Sequence, residues 1–280
     1  MTLHLASNKL REIPGFLINQ SELSELDLSE NHIQGEIPNW IWSFRYLSLN
    51  LSCNSLVTLE AHFTTSNVII LDLHSNQLQG EIPYTSPNAI YLDYSSNHFC
   101  CSIPADIGDF FNLDTSFLSL SNNNLRASFQ HQYAREGLGV LNLRRNNLTR
   151  TISNFEFLES CGLHTLDLGE NRIKGQFPKS LANYRSLQFL NLGNNQMKDA
   201  FPCLLLNIST LHVLLLRSNK FYGCIACPKT NGTWPMLQII DLADNNLSGE
   251  IPRRSLATWL PMRANEDDSL GKAKHLKFFF

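Results

Sequence analysis

The sequence lacks a strong charge of either sign. Its 22 lysines and arginines nearly balance 25 aspartates and glutamates, giving a formal charge of −3 at pH 7. That excludes the electrostatic footprint of a nucleic-acid binder or of a protein held on an acidic membrane surface. Long apolar runs are missing too, since none approaches the roughly 18 residues of a membrane-spanning helix. Met1 already lies inside the first copy of a recurring phrase, MTLHLASNKL, so no signal peptide is expected within this chain. There is no glycine-rich phosphate loop, no H-E-x-x-H and no G-x-S-x-G. The nine histidines fall at unrelated places in the repeat. The chain is therefore expected to bind rather than to catalyse, without a cofactor.

What the sequence does have is repetition. The phrase L-x-L-x-x-N-x-L returns with asparagine at Asn8, Asn31, Asn54, Asn76, Asn97, Asn123, Asn146, Asn171, Asn195, Asn219 and Asn245. The mean period is about 23.7 residues, in the range of solenoids, whose units contact only their neighbours. With the asparagine numbered position 9, position 4 is leucine in ten repeats and Ile240 in the last. Position 6 is leucine everywhere but the fifth repeat, which has Tyr94. This period-two alternation predicts a short half-buried strand in each repeat. Copies one period apart would pair in parallel, and eleven of them would make a sheet about 50 Å long. One repeat alone has no partner for its leucines, each worth about 1.5–3 kcal/mol when buried. The asparagines are predicted to turn inward and to bond the backbone of adjoining turns as a structural ladder.

A second phrase follows the asparagine. It reads Gly35-Glu36-Ile37-Pro38, Gly80-Glu81-Ile82-Pro83, Gly175-Gln176-Phe177-Pro178 and Gly249-Glu250-Ile251-Pro252, with weaker copies at Ile103-Pro104 and Phe201-Pro202. Glycine permits a tight bend there and proline is expected to stop strand pairing. Together the two phrases resemble the plant-specific, extracellular type of leucine-rich repeat. Longer stretches, such as Ile37-Pro38-Asn39-Trp40-Ile41-Trp42 and Leu216-Arg217-Ser218-Asn219-Lys220, are similar to plant receptor-like proteins of the Verticillium-wilt and leaf-mould resistance type. The implied fold is an α/β-type solenoid, a right-handed superhelix of about eleven repeats with one parallel sheet on its concave face. Residues 1–252 would form the solenoid, and 253–280 a non-repeat tail.

The resemblance also implies a function. Such proteins sit on the extracellular face of the plasma membrane, recognise a peptide or protein ligand in defence, and signal through partner receptor kinases. Their membrane helix would lie in a segment this chain does not contain. Two alternatives stay open: a non-functional fragment of a receptor gene, and a secreted inhibitor like the polygalacturonase-inhibiting proteins.

Seven cysteines is an odd number. Cys203 and Cys227 share position 17 of adjacent repeats, which would place their Cα atoms about 5 Å apart, within disulfide reach. The pairing of Cys53, Cys100, Cys101, Cys161 and Cys224 is left open. Cys224-x-x-Cys227 has half the spacing of a zinc or redox motif, but no second pair accompanies it, so no metal is expected. Six N-x-S/T sequons, at Asn19, Asn50, Asn147, Asn207, Asn231 and Asn246, favour the secretory route. Asn50 is the one predicted to face the concave side.

Strand alternation turns positions 2, 3, 5, 7 and 8 toward the concave surface. Position 5 carries Asp27, Asp72, Asp93, Asp167 and Asp241, a column that suits a cation or a basic peptide, or merely solvent. Arg144 and Arg145 lie at positions 7 and 8 of the seventh repeat and Arg217 at position 7 of the tenth. Guanidinium forks suit carboxylates and phosphates, although Glu170 and Asp244 are placed to pair with them. Related plant receptor kinases hold a peptide's terminal carboxylate with an R-x-R pair, a pattern that Arg144-Arg145 does not match. An aromatic patch of Tyr91, Phe117 and Phe189 completes the candidate ligand surface.

Overall fold

The computed structural model describes residues 1–44, 47–59, 68–83, 89–103, 116–126, 137–149, 162–225, 227 and 234–249. Cys161, Asn231, most of the irregular stretch between the sixth and seventh repeats, and the 253–280 tail lie outside them.

Eleven parallel strands, from Thr2–His4 to Ile239–Asp241, form one sheet in which each strand pairs only with those of the adjacent repeats. Equal repeat positions face each other: Leu3 opposite Leu26, Leu26 opposite Leu49, and so on to Leu214 opposite Ile240. The leucines at positions 4 and 6 make one continuous core, fully buried through the interior repeats and only partly buried at Leu3, Leu5, Ile240 and Leu242. A strand with one apolar face can bury it only against the next turn of chain, so each repeat supplies the next one's partner.

The asparagines hold the turns. Each from Asn31 to Asn245 donates its amide to the carbonyl of position 6 in the preceding repeat; Asn195 reaches the Leu168 carbonyl at 3.0 Å. Its carbonyl oxygen accepts a backbone N–H two residues beyond the preceding repeat's asparagine, as from Ile173 at 3.0 Å. Just before it, position 8 is left-handed in all eleven repeats, with φ between 50° and 55°. The small polar residues common there tolerate that conformation; Arg145 occupies it without such help.

The G-x-I-P phrase behaves differently from the bend expected of it. Gly35, Gly80 and Gly175 lie in short strands, Gln34–Ile37, Gln79–Gly80 and Lys174–Gly175, that pair in parallel with the next repeat. Their φ values of 84°, 96° and 91° need glycine, which turns the chain while it still pairs. Proline then ends the pairing and starts a 3₁₀ turn: Asn39–Ser43 follows Pro38, Lys179–Asn183 follows Pro178, and Cys203–Asn207 follows Pro202. Among the described residues the outer side of the expected parallel-sheet solenoid carries 3₁₀ turns. None of their helices is long and apolar enough to cross a membrane.

Cys203 and Cys227 are disulfide-bonded, with Cα atoms 5.5 Å apart. In a chain-entropy account a loop of this size stabilises by about 3 kcal/mol. Tyr94, standing where other repeats have leucine, is fully buried edge-on to Phe99. Its hydroxyl has no hydrogen-bond partner among the described residues. A buried unsatisfied hydroxyl costs about 1–3 kcal/mol. Tyr94→Phe is therefore expected to raise the urea midpoint at unchanged slope; a lower midpoint would show that the hydroxyl is satisfied in solution.

Candidate functional site on the concave sheet face

The column at position 5 has a structural job. Asp27, Asn50, Asp72, Asp93, Asn142, Asp167, Asn191 and Asp241 each accept the backbone N–H two residues on, at 2.8–3.1 Å. This closes the turn out of each strand, which is why Asp and Asn alternate freely there. Only where a second feature is added does the column become a candidate site.

The arginines form one such feature. Glu170 takes hydrogen bonds from both: Arg144 bonds one carboxylate oxygen through Nε and Nη2, and Arg145 bonds the other through Nε at 2.7 Å. The two arginine side chains remain 43% and 58% exposed. The hydrogen bond from Arg145 is the main cause holding the Glu170 carboxyl below its usual range, against partial desolvation. Three repeats on, Arg217 sits between Asp241 and Asp244, 3.4 Å from each. Its stem crosses Gly193, where any Cβ would come within 3.2 Å of it. The arginines are thus paired within the fold: Arg144 and Arg145 share one carboxylate and leave one positive charge in excess, whereas Arg217 faces two carboxylates.

The aromatic residues do not form one patch. Tyr91 and Phe117 face each other in register and stack at 4.6 Å with rings 6° from parallel. Phe189 lies three repeats further on, between Thr165 and Val213, and is only 6% exposed. It belongs to the packed surface, not to an exposed anchor, because its bulk lies against small and β-branched neighbours.

Beside the Tyr91–Phe117 stack lies a group that sequence reading did not assemble. Asp72 and Asp93 face each other on adjacent strands. His74 donates or accepts through Nδ1 at 2.7 Å from Asp72 Oδ1, and its Nε2 lies 3.5 Å from Cys53 Sγ. One ligand-type atom from each of Asp72, His74 and Asp93 lies within 4.8 Å of the others. Asp93 is raised in pKa, chiefly by burial, and the hydrogen bond with Asp72 raises His74. The signal was present: among the eleven repeats, His74 is the only histidine at position 7 and Cys53 the only cysteine at position 8.

Of the sequons, Asn19, Asn207 and Asn246 are exposed, and Asn147 bonds Asn124. Asn50 stands half-buried in the position-5 column, its carbonyl oxygen engaged by Ser52.

A recurring strand, an inward asparagine and one parallel concave sheet define a leucine-rich-repeat protein. The Leucine Rich Repeat family model matches residues 22–44, 162–184 and 236–254. Over 96% of its length the chain is 35% identical to Receptor-like protein 35 of Arabidopsis thaliana and 34% identical to Receptor-like protein 53. Over the length it shares with these relatives, it is similar to plant leucine-rich-repeat receptor-like proteins. It spans about a quarter of them, 27% and 26% respectively. Among solved structures, it is similar to the ectodomain of the Arabidopsis receptor kinase HAESA in complex with an IDA peptide hormone, with TM-score 0.77 and 28% identity over 92% of this chain and 44% of that one. It also resembles PEPR1 in complex with AtPEP1, with TM-score 0.70 and 26% identity over 92% of this chain and 40% of that one.

Proposed function

We propose that the concave face of this chain recognises a peptide or protein ligand, as part of the extracellular portion of a plant receptor-like protein acting in defence. The observation that carries this reading is the doubly bridged carboxylate of Glu170. One internal carboxylate serves two exposed guanidiniums, so an acidic group of a ligand can add to them or replace Glu170 at little cost. Surface ion pairs of this kind contribute only about 0–1 kcal/mol, whereas bidentate arginine–carboxylate bonds add direction and specificity. The stacked Tyr91 and Phe117 offer a half-exposed apolar surface nearer the other end of the sheet. The HAESA ectodomain, of the same fold, is seen with a peptide hormone, which favours a peptide over a small molecule. Signalling would pass through partner receptor kinases at the plasma membrane, and the exposed sequons would carry glycans.

Replacing Arg144, Arg145 and Arg217 by alanine in a full-length parent is expected to weaken the ligand response at least tenfold. Cell-surface abundance should stay normal, because all three side chains lie on the surface, 43%, 58% and 48% exposed. An unchanged dose–response curve at normal abundance excludes this site.

A further inference from the structure

We infer that Asp72, His74 and Asp93 form a binding site for a first-row divalent transition ion of the zinc class, with Cys53 supporting His74 from behind. The site is independent of the peptide reading above. It combines an imidazole and two carboxylates from two consecutive repeats, with a thiol from the repeat before them behind the imidazole.

Two carboxylates come first. Asp72 and Asp93 lie opposite each other in register, and each is oriented by the backbone N–H two residues on, at 3.1 and 2.8 Å. Parallel strands sit about 4.8 Å apart, so two carboxylates at one register position on neighbouring strands repel unless a cation lies between them. The second oxygen of Asp93 faces the Tyr91 hydroxyl at 3.4 Å, the kind of outer hydrogen bond that steadies a ligating carboxylate.

The imidazole comes second. His74 is held at both ring nitrogens, by Asp72 at 2.7 Å and by the Cys53 sulfur at 3.5 Å. With Nε2–H directed at sulfur, the proton that Nδ1 shares with Asp72 is the one to be given up, which turns an Nδ1 lone pair toward the carboxylates. Binding then replaces the proton shared by Nδ1 and Asp72 with the metal, and that proton leaves to solvent. One imidazole and two carboxylates suit zinc, manganese, iron or nickel better than calcium or magnesium, which take oxygen ligands alone. Three protein ligands at the surface of an open sheet leave coordination positions for water or for a donor atom of a bound ligand.

The repeats supply their own controls. Serine occupies position 7 in the second, third, fifth and sixth repeats, and asparagine occupies position 5 in the third, seventh and ninth. His74→Ser and Asp93→Asn thus install residues that this fold already accepts at those positions, and the asparagine keeps the turn-closing acceptor. Cys100, Cys101 and Cys224 are free thiols elsewhere on the surface, so a variant with all three replaced by serine reports uptake that does not depend on them.

The test is equilibrium dialysis of the full 280-residue chain against Zn²⁺ and Co²⁺, with circular dichroism to compare the fold of each variant. Wild type and the triple-serine variant are expected to take up one ion with matching affinity. His74→Ser and Asp93→Asn should each bind it at least tenfold more weakly. In the cobalt form, loss of the visible d–d bands in His74→Ser would place the ion on the imidazole. Absence of uptake by the wild-type chain overturns the proposal. So does uptake unchanged in His74→Ser and Asp93→Asn, and so does uptake abolished in the triple-serine variant.

Discussion

Asn195→Ala is expected to lower the unfolding free energy by about 2–4 kcal/mol, and Asn8→Ala by no more than about 0.5 kcal/mol. The two residues hold the same position of the recurring phrase, so repeat position cannot separate them. Their surroundings can. Asn195 is buried, donates to the carbonyls of Leu168, Leu192 and Gly193, and accepts from Ile173. Removing its amide strands a buried N–H and takes a donor from three carbonyls. A stranded buried group costs about 1–3 kcal/mol, and the small cavity adds to that. Asn8 is exposed and bonds only the carbonyls of Leu5 and Ala6 in its own turn, which water can serve instead. Asn195→Asp should be as damaging as alanine, since a carboxylate keeps the acceptor but turns its charge on three carbonyl oxygens. Urea unfolding followed by circular dichroism measures all three. Equal losses at Asn8 and Asn195 would mean that the ladder bonds carry no net stability.

Trp234→Ala should cost more, about 3–5 kcal/mol, the range for truncating a fully buried aromatic side chain. Trp234 has no solvent exposure, meets Phe201 edge-on at 6.2 Å, and donates its indole N–H to the Leu205 carbonyl at 2.7 Å. Leu205 lies in the Cys203–Asn207 3₁₀ turn, so this side chain fastens the outer edge of one repeat to the next, on the side where the disulfide also crosses. Trp234→Phe keeps most of the ring but loses the hydrogen bond. Since the Leu205 carbonyl also accepts the Ile208 N–H at 3.0 Å, that loss should be only about 1 kcal/mol. The comparison separates volume from polarity: a phenylalanine variant as unstable as the alanine one would assign the effect to the hydrogen bond. Interior repeats couple only to neighbours, so exchange of the amides at this junction follows its unfolding separately.

The repeat made much of the fold legible. A leucine at every second position and an asparagine at every turn leave a chain few ways to bury both, and stacking equal positions in register is the one that satisfies them all. Cys203 and Cys227 could be placed beside each other for the same reason: their shared repeat position became a distance. Phe189 shows where that reasoning stops. Its repeat position matches that of Tyr91 and Phe117, yet position sets only which way a side chain leaves the strand. How far it stays exposed depends on its neighbours across the sheet, and those are Thr165 and Val213.

The same limit applies to the candidate sites. The glycines of the G-x-I-P phrase read as bends, because nothing in one repeat shows that the next offers a second strand to pair with. The position-5 aspartates read as an acidic column, because an isolated carboxylate does not reveal the backbone N–H it serves. By itself the sequence determined the solenoid, its period, its core and its concave face, all of which follow from spacing that every repeat shares. Only the tertiary structure decided how single side chains meet across that face: Glu170 divides its two oxygens between the arginines that its repeat position already offered it, and His74 sits between Asp72 and Cys53. The Arg144–Glu170, Arg145–Glu170 and His74–Cys53 contacts join residues 21 to 26 positions apart, and their geometry depends on side-chain torsions that packing sets.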